Sequence, residues 1–332
     1  MILMELQRNS LSPTEVEEIN TQASTFMKEG IRLMDDARPE AIAVALACFD
    51  RALELRRDLP IETSPMLRYD LSACWLNRAD ALMRLANSEQ FQLALLAYDE
   101  AIGLLRDLPL HEDSRFPRRL AIAHQNRGLA LESQHSSAVA EAMQEFSKAI
   151  EILEHKHAAQ ITDRLHLLAA VWMNVAKARL AEASPQGEQL AAEAARRAIT
   201  LVADLETIDV HTGEVGMKAR HVLCQAIAQR VSMIPDTHVR IPEAVHEATD
   251  TADAGLALAR HWEKNGVNRF RDIARDLFLF GMRVYARYQP QFLAEFLSEN
   301  MDPDRSSFDY IESEEIRSAA REASELVSHL EQ

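Results

Sequence analysis

Apolar side chains along this chain recur three and four residues apart with charged residues between them, as in FDRALEL at Phe49–Leu55 and YDEAIGL at Tyr98–Leu104. That spacing places the apolar groups on one stripe of a 3.6-residue helix. No stretch sustains the strict alternation that a half-buried strand needs. The 9 glycines and 11 prolines leave little of the chain for loops. The pattern predicts helices almost throughout.

The helical blocks also repeat. FDRALEL and YDEAIGL are followed by FSKAIEI at Phe146–Ile152 and ARRAITL at Ala195–Leu201, with starts 49, 48 and 49 residues apart. A second block precedes each of them: FMKEGIRL at Phe26, WLNRADAL at Trp75, HQNRGLAL at His124 and WMNVAKAR at Trp172, spaced by 49, 49 and 48. The loop RDLP occurs at Arg57–Pro60 and again at Arg106–Pro109. A fixed period of this kind marks an array in which each unit is a pair of helices.

The residues at fixed places in each period resemble the tetratricopeptide repeat. That pattern has an aromatic, a small residue four later and an apolar residue three later, then a second helix with Ala, an aromatic and Ala. The second unit supplies Trp75, Ala79, Leu82, Ala94, Tyr98 and Ala101. The third supplies His124, Gly128, Leu131, Ala142, Phe146 and Ala149, and the first Phe26, Gly30, Leu33, Ala45, Phe49 and Ala52. The fourth, Trp172, Ala176, Arg179, Ala191, Ala195 and Ala198, matches more loosely. The period exceeds the usual length of about 34 residues, and the closing proline is displaced to Pro60 and Pro109.

The fold expected is all-α, a right-handed superhelix (α-solenoid) of five to six antiparallel helix pairs with a C-terminal capping helix. Its units fall at about 13–60, 61–109, 110–158, 159–206, 207–263 and 264–300, within an array spanning 13–311. A flexible N-terminus, 1–12, precedes the array and the capping helix, 312–332, closes it. Ser12-Pro13-Thr14-Glu15 reads as a capping box, and Ser64-Pro65 and Ser184-Pro185 open helices in the same way.

The resemblance also implies a binding face. In such arrays the first helix of each unit lines a concave groove, and the residue two beyond the aromatic reads Asn77, Asn126 and Asn174 in three consecutive units. Peptide-binding members of the family grip a main chain with asparagines at this position. The remaining groove positions are Leu76, Asp80, Met83 and Arg84 in the second unit, Gln125, Leu129 and Glu132 in the third, and Met173 and Lys177 in the fourth. The chemistry suits a peptide, because a carboxamide offers both donors and an acceptor. Helices about 10 Å apart would present successive asparagines to about every third residue of a strand rising about 3.3 Å per residue. The competing reading makes these asparagines tolerated polar surface groups. Arg78 and Arg127, which follow two of them, are expected to pair with acids of the adjacent helix.

Charge and composition narrow the function. The 36 basic and 52 acidic side chains give a formal charge of −16, which disfavours a nucleic-acid surface. The densest basic spot, Arg115, Arg118 and Arg119, reads as a solvated helix start. No apolar run reaches the roughly 18 residues of a membrane span. The three cysteines are far apart, and Cys48 and Cys74 precede core aromatics, so core thiols and a reducing cytoplasm are expected. No phosphate loop, HExxH, CxxC or Gly-x-Ser-x-Gly occurs. Glu243 and His246 have di-metal ligand spacing without a second such pair, which favours surface pairing. The expectation is a non-enzymatic scaffold or adaptor without cofactor, binding a protein or extended peptide, with self-association left open. A sensor of a small ligand or signal peptide is the main rival. An enzyme using Asp80, Glu132 and Lys177 as acid–base groups is the other.

Overall fold

In a computed structural model of the chain, the residues described are 11–36, 38–85, 88–133, 139–232 and 241–301, with 318, 320 and 321. The expected flexible N-terminus lies outside them except for its last two residues. The expected capping helix does so except for those three isolated positions.

Every regular element among the described residues is helical. In order they are α1 (Pro13–Leu33), α2 (Pro39–Arg56), α3 (Pro65–Leu85), α4 (Ser88–Arg106), α5 (Arg115–Glu132) and α6 (Val139–Glu154). After a 3₁₀ turn at Lys156–Gln160 come α7 (Arg164–Leu180), α8 (Pro185–Val202), α9 (Val210–Ser232), α10 (Ile241–Lys264), α11 (Arg271–Tyr288) and α12 (Pro290–Met301). The chain divides into two compact units, residues 1–164 and 165–332.

In the first unit α1 packs on α2, α3 on α4 and α5 on α6, and each hairpin also touches the next. The local chemistry starts these helices. Ser12 accepts from the Glu15 amide at 3.3 Å, while Glu15 accepts from the Ser12 amide at 2.8 Å. That closes the capping box and satisfies two amides with no intrahelical partner. Ser64 caps α3 by accepting from the Leu67 amide at 3.3 Å.

Packing within a hairpin depends on one small residue facing one ring. A β-carbon on Gly30 would lie 2.5 Å from the Phe49 ring, and one on Gly128 would lie 2.6 Å from the Phe146 ring. Both rings are fully buried. These contacts bring α1 onto α2 and α5 onto α6 at a distance that a larger residue would prevent. Between them Ala79 and Tyr98 belong to one core with Leu76, Leu82 and Phe116.

A buried cation ties the first two hairpins. Arg56, only 4% exposed, ends α2 among residues of α1 and α3. It donates to Asn20 Oδ1 at 2.9 Å, Ser24 Oγ at 2.8 Å, the Asp70 carbonyl at 2.9 Å and Cys74 Sγ at 3.2 Å. Asn20 completes the loop by donating to Asp70 Oδ2 at 3.1 Å. Cys74 and Cys224 are buried thiols, whereas Cys48 is half-buried.

In the second unit α9, α10, α11 and α12 pack in sequence around Leu256, Phe270, Leu277 and Phe278. Phe278 stacks on Phe296 with ring centres 5.4 Å apart. A smaller core of Ala169, Ala198, Val202 and Val215 joins α7, α8 and α9. Ser184 caps α8, accepting from the Gly187 amide at 3.0 Å. Arg220 forms a fork on Glu206 at 2.6 and 2.7 Å, both side chains being nearly inaccessible.

Candidate functional site

The first-helix face of the first unit is formed by α1, α3 and α5. Asn77 is half-buried there, and its amide donates to the Ala73 carbonyl one turn back at 2.8 Å. Asn126, also half-buried, reaches across the hairpin boundary and donates to Asp80 Oδ1 at 3.1 Å. The same oxygen accepts from the Tyr98 hydroxyl at 2.6 Å. Burial pushes the Asp80 carboxyl up, while the hydrogen bonds from Tyr98 and Asn126 oppose that shift. Burial and the neighbouring carboxylate likewise push the Tyr98 hydroxyl up. Asp80 is therefore a junction for α3, α4 and α5, with its oxygens already engaged.

The other expected groove residues are distributed unevenly. Met83, Gln125, Leu129 and Glu132 are half-buried. Arg84 is exposed and donates to the Met34 carbonyl of the preceding hairpin. Leu76 faces inward, 7% exposed, as part of the Tyr98 core. It is a packing residue and not a groove surface.

In the second unit Met173 is half-buried and Lys177 exposed, but Asn174 is only 5% exposed. Placing Asn174 on a wet face is corrected by its surroundings. Val171, Val175 and Ala178 are buried on the same helix together with Leu167, Leu168 and Ala170, so α7 is covered over most of its circumference. The three asparagines share a repeat position without sharing an environment.

The arginines that follow two of them behave as expected. Arg78 donates to Asp50 at 2.6 Å and Arg127 to Asp99 at 2.7 Å, each acid lying 28 residues earlier. The cluster at the start of α5 is occupied internally as well. Arg115 binds Asp113, Arg118 binds Asp163 at 2.6 Å, and Arg119 lies 3.5 Å over the Tyr69 ring. Its cations are spent on neighbours. His246 pairs with Asp250 at 3.3 Å rather than with Glu243.

A different surface of the first unit is open. Between the second helices α2 and α4 runs a groove of about 780 Å³, floored by Leu53, Leu71 and Trp75. Its wall on α4 carries Leu93 and Leu96, which are 38% and 60% exposed. Asp50, Glu54, Arg57 and Glu100 stand at its edges, and the Arg78 guanidinium sits 5.8 Å from the Trp75 ring centre. Reading the first helices as the binding face missed this groove. The signal was the sequence of α4, FQLALLAYDEAIGLL, which carries more leucine than one buried stripe requires.

No protein-family profile matches this chain, and no curated protein matches it. A crystal structure of BtubC (BKLC) from P. vanneervenii is similar at 18% identity over 67% of this chain and 95% of that one, with a TM-score of 0.38. So loose a likeness carries no functional argument. The fold and the groove define the class, an all-α array of helical hairpins with a leucine- and tryptophan-lined groove in its first unit.

Proposed function

We propose that this chain is a non-enzymatic protein-binding scaffold whose first unit seats an amphipathic helix of a partner between α2 and α4. The observation that carries this reading is the exposure of Leu93 and Leu96, at 38% and 60%, beside a groove floored by Trp75. Exposed apolar side chains that flank a concavity favour a partner, because covering them releases roughly 25 cal/mol per Å² of apolar surface. A helix in a groove is recognised by apolar anchors one turn apart, and Leu93 and Leu96 are three residues apart on α4, so both can meet such anchors. The charged edge around Asp50, Glu54, Arg57 and Glu100 would fix register.

The first-helix face is the rival surface for an extended peptide. Asn77 and Asn126 each direct their Nδ2 group inward, to the Ala73 carbonyl and to Asp80, which leaves fewer donors for a peptide main chain. That reduction favours the groove.

Selection of helix-prone peptides from a displayed library against the purified protein tests the reading. Enriched peptides should carry apolar residues spaced three, four and seven apart. Leu93→Asp combined with Leu96→Asp should weaken the best of them about 30-fold or more, with an unchanged circular dichroism spectrum. Asn77→Ala with Asn126→Ala should leave affinity unchanged. The opposite ranking would move the site to the first-helix face, and no enrichment on a folded protein would remove the scaffold reading.

A further inference from the structure

The second unit holds a pocket of different chemistry. Between α9, α10 and α11 lies a half-open cavity of about 220 Å³ whose walls include Ile227, Val231, Val245, Phe280 and Val284. Two cations stand on it, Arg283 and Arg287, one turn apart on the same face of α11. Both are exposed. Arg283 has no ion-pair partner among the described residues, and Arg287 lies 5.1 Å from the Tyr288 ring centre. No carboxylate is among the described residues lining the cavity, although the chain has 52 acidic side chains and a formal charge of −16.

We infer that this cavity binds a small amphipathic carboxylate, a molecule with a short aliphatic body and one anionic end. The walls supply an apolar enclosure on three sides. At the density of a protein interior the space takes a body of roughly eight to ten non-hydrogen atoms. Arg283 and Arg287 line the cavity and are exposed, so they can meet the polar end of a ligand, and a planar guanidinium matches a carboxylate with two parallel N–H donors. Among the described residues of the lining the charged groups are both cations, opposite in sign to the net charge of the chain. A neutral ligand of the same length would fill the walls but leave Arg283 without an ion-pair partner among the described residues, so charge as well as shape selects the occupant.

Octanoate, below its micelle concentration, is the probe, and isothermal titration calorimetry on the full chain is the measurement. Saturable one-to-one binding is expected, with 1-octanol at least tenfold weaker because it lacks the charge-assisted bonds. Arg283→Gln with Arg287→Gln should reduce octanoate affinity by on the order of tenfold or more and leave 1-octanol unchanged. Ala228→Phe introduces a ring from an exposed position on the pocket wall and should abolish binding of both. Melting curves of both variants should match the parent, since all three positions are exposed. Three results would each overturn the assignment: no saturable octanoate binding, equal affinity for octanoate and 1-octanol, or octanoate binding that survives Ala228→Phe.

Discussion

Replacing Gly128 by alanine separates the packing argument from helix propensity. Alanine is intrinsically better than glycine in a helix interior by about 1 kcal/mol. At Gly103 in α4, where an added β-carbon meets nothing within 4 Å, that gain should appear almost intact. At Gly128 the new methyl would lie 2.6, 2.8 and 3.1 Å from three atoms of the Phe146 ring. A rigid ring that is 0% exposed cannot swing aside as a flexible chain end could, so α5 and α6 must separate. Overpacking of this kind costs about 1–3 kcal/mol. The net expectation is a loss of about 0.5–2 kcal/mol for Gly128→Ala and a gain of about 0.5–1 kcal/mol for Gly103→Ala. Urea unfolding followed by circular dichroism compares the two. In a Phe146→Leu background the Gly128→Ala penalty should shrink by about 1 kcal/mol, as a shared contact requires. If Gly128→Ala stabilises the protein as much as Gly103→Ala does, the assigned contact between α5 and α6 is wrong.

Three further tests address the buried charges. Arg56→Met should cost about 2–4 kcal/mol, because it strands the Asn20, Ser24 and Asp70 acceptors, and loss of cooperativity or midpoint in urea unfolding reads it directly. Burial alone would raise the Glu145 carboxyl, but hydrogen bonds from His124 and Lys148 and the charges of His124 and Arg127 outweigh it and hold it at about 2. A carboxyl depressed from 4.5 contributes stability above that value and loses it as pH falls toward 2, so Glu145→Gln should flatten the acid limb of a stability profile in that window. In the second unit, Glu206→Leu alone should cost about 3–5 kcal/mol by leaving Arg220 buried and unpaired. Adding Arg220→Met should recover most of that loss, and a double variant no more stable than the single one would show that the pair is not the source.

The hairpins were legible in the sequence because close helix approach leaves a local signature. Gly30 with Phe49 and Gly128 with Phe146 each combine a residue without a side chain and a large ring, 19 and 18 residues apart in the sequence. The ion pairs Arg78–Asp50 and Arg127–Asp99 were legible for the same reason, since a repeated period repeats the juxtaposition. Arg56 was not. At the end of FDRALELR it has the position of an ordinary solvated cation, and its partners come from α1 and α3. The open groove depends on the spacing between α2 and α4, which no residue pattern states. Asn174 shows the limit of reading by repeat position, because equivalence in register does not fix how much of a helix its neighbours cover.

The polar ties between hairpins have a consequence for synthesis. Asn20–Asp70, Arg119–Tyr69 and Asn126–Asp80 join residues 50, 50 and 46 apart in the first unit, and Arg196–Glu247 joins residues 51 apart in the second. Each tie can close once one further repeat has left the ribosome. At roughly 5–20 residues per second that is an interval of about 3–10 seconds. Within each unit the nascent chain can thus settle in the order in which it emerges, with an exposed hairpin face waiting only for the hairpin translated next.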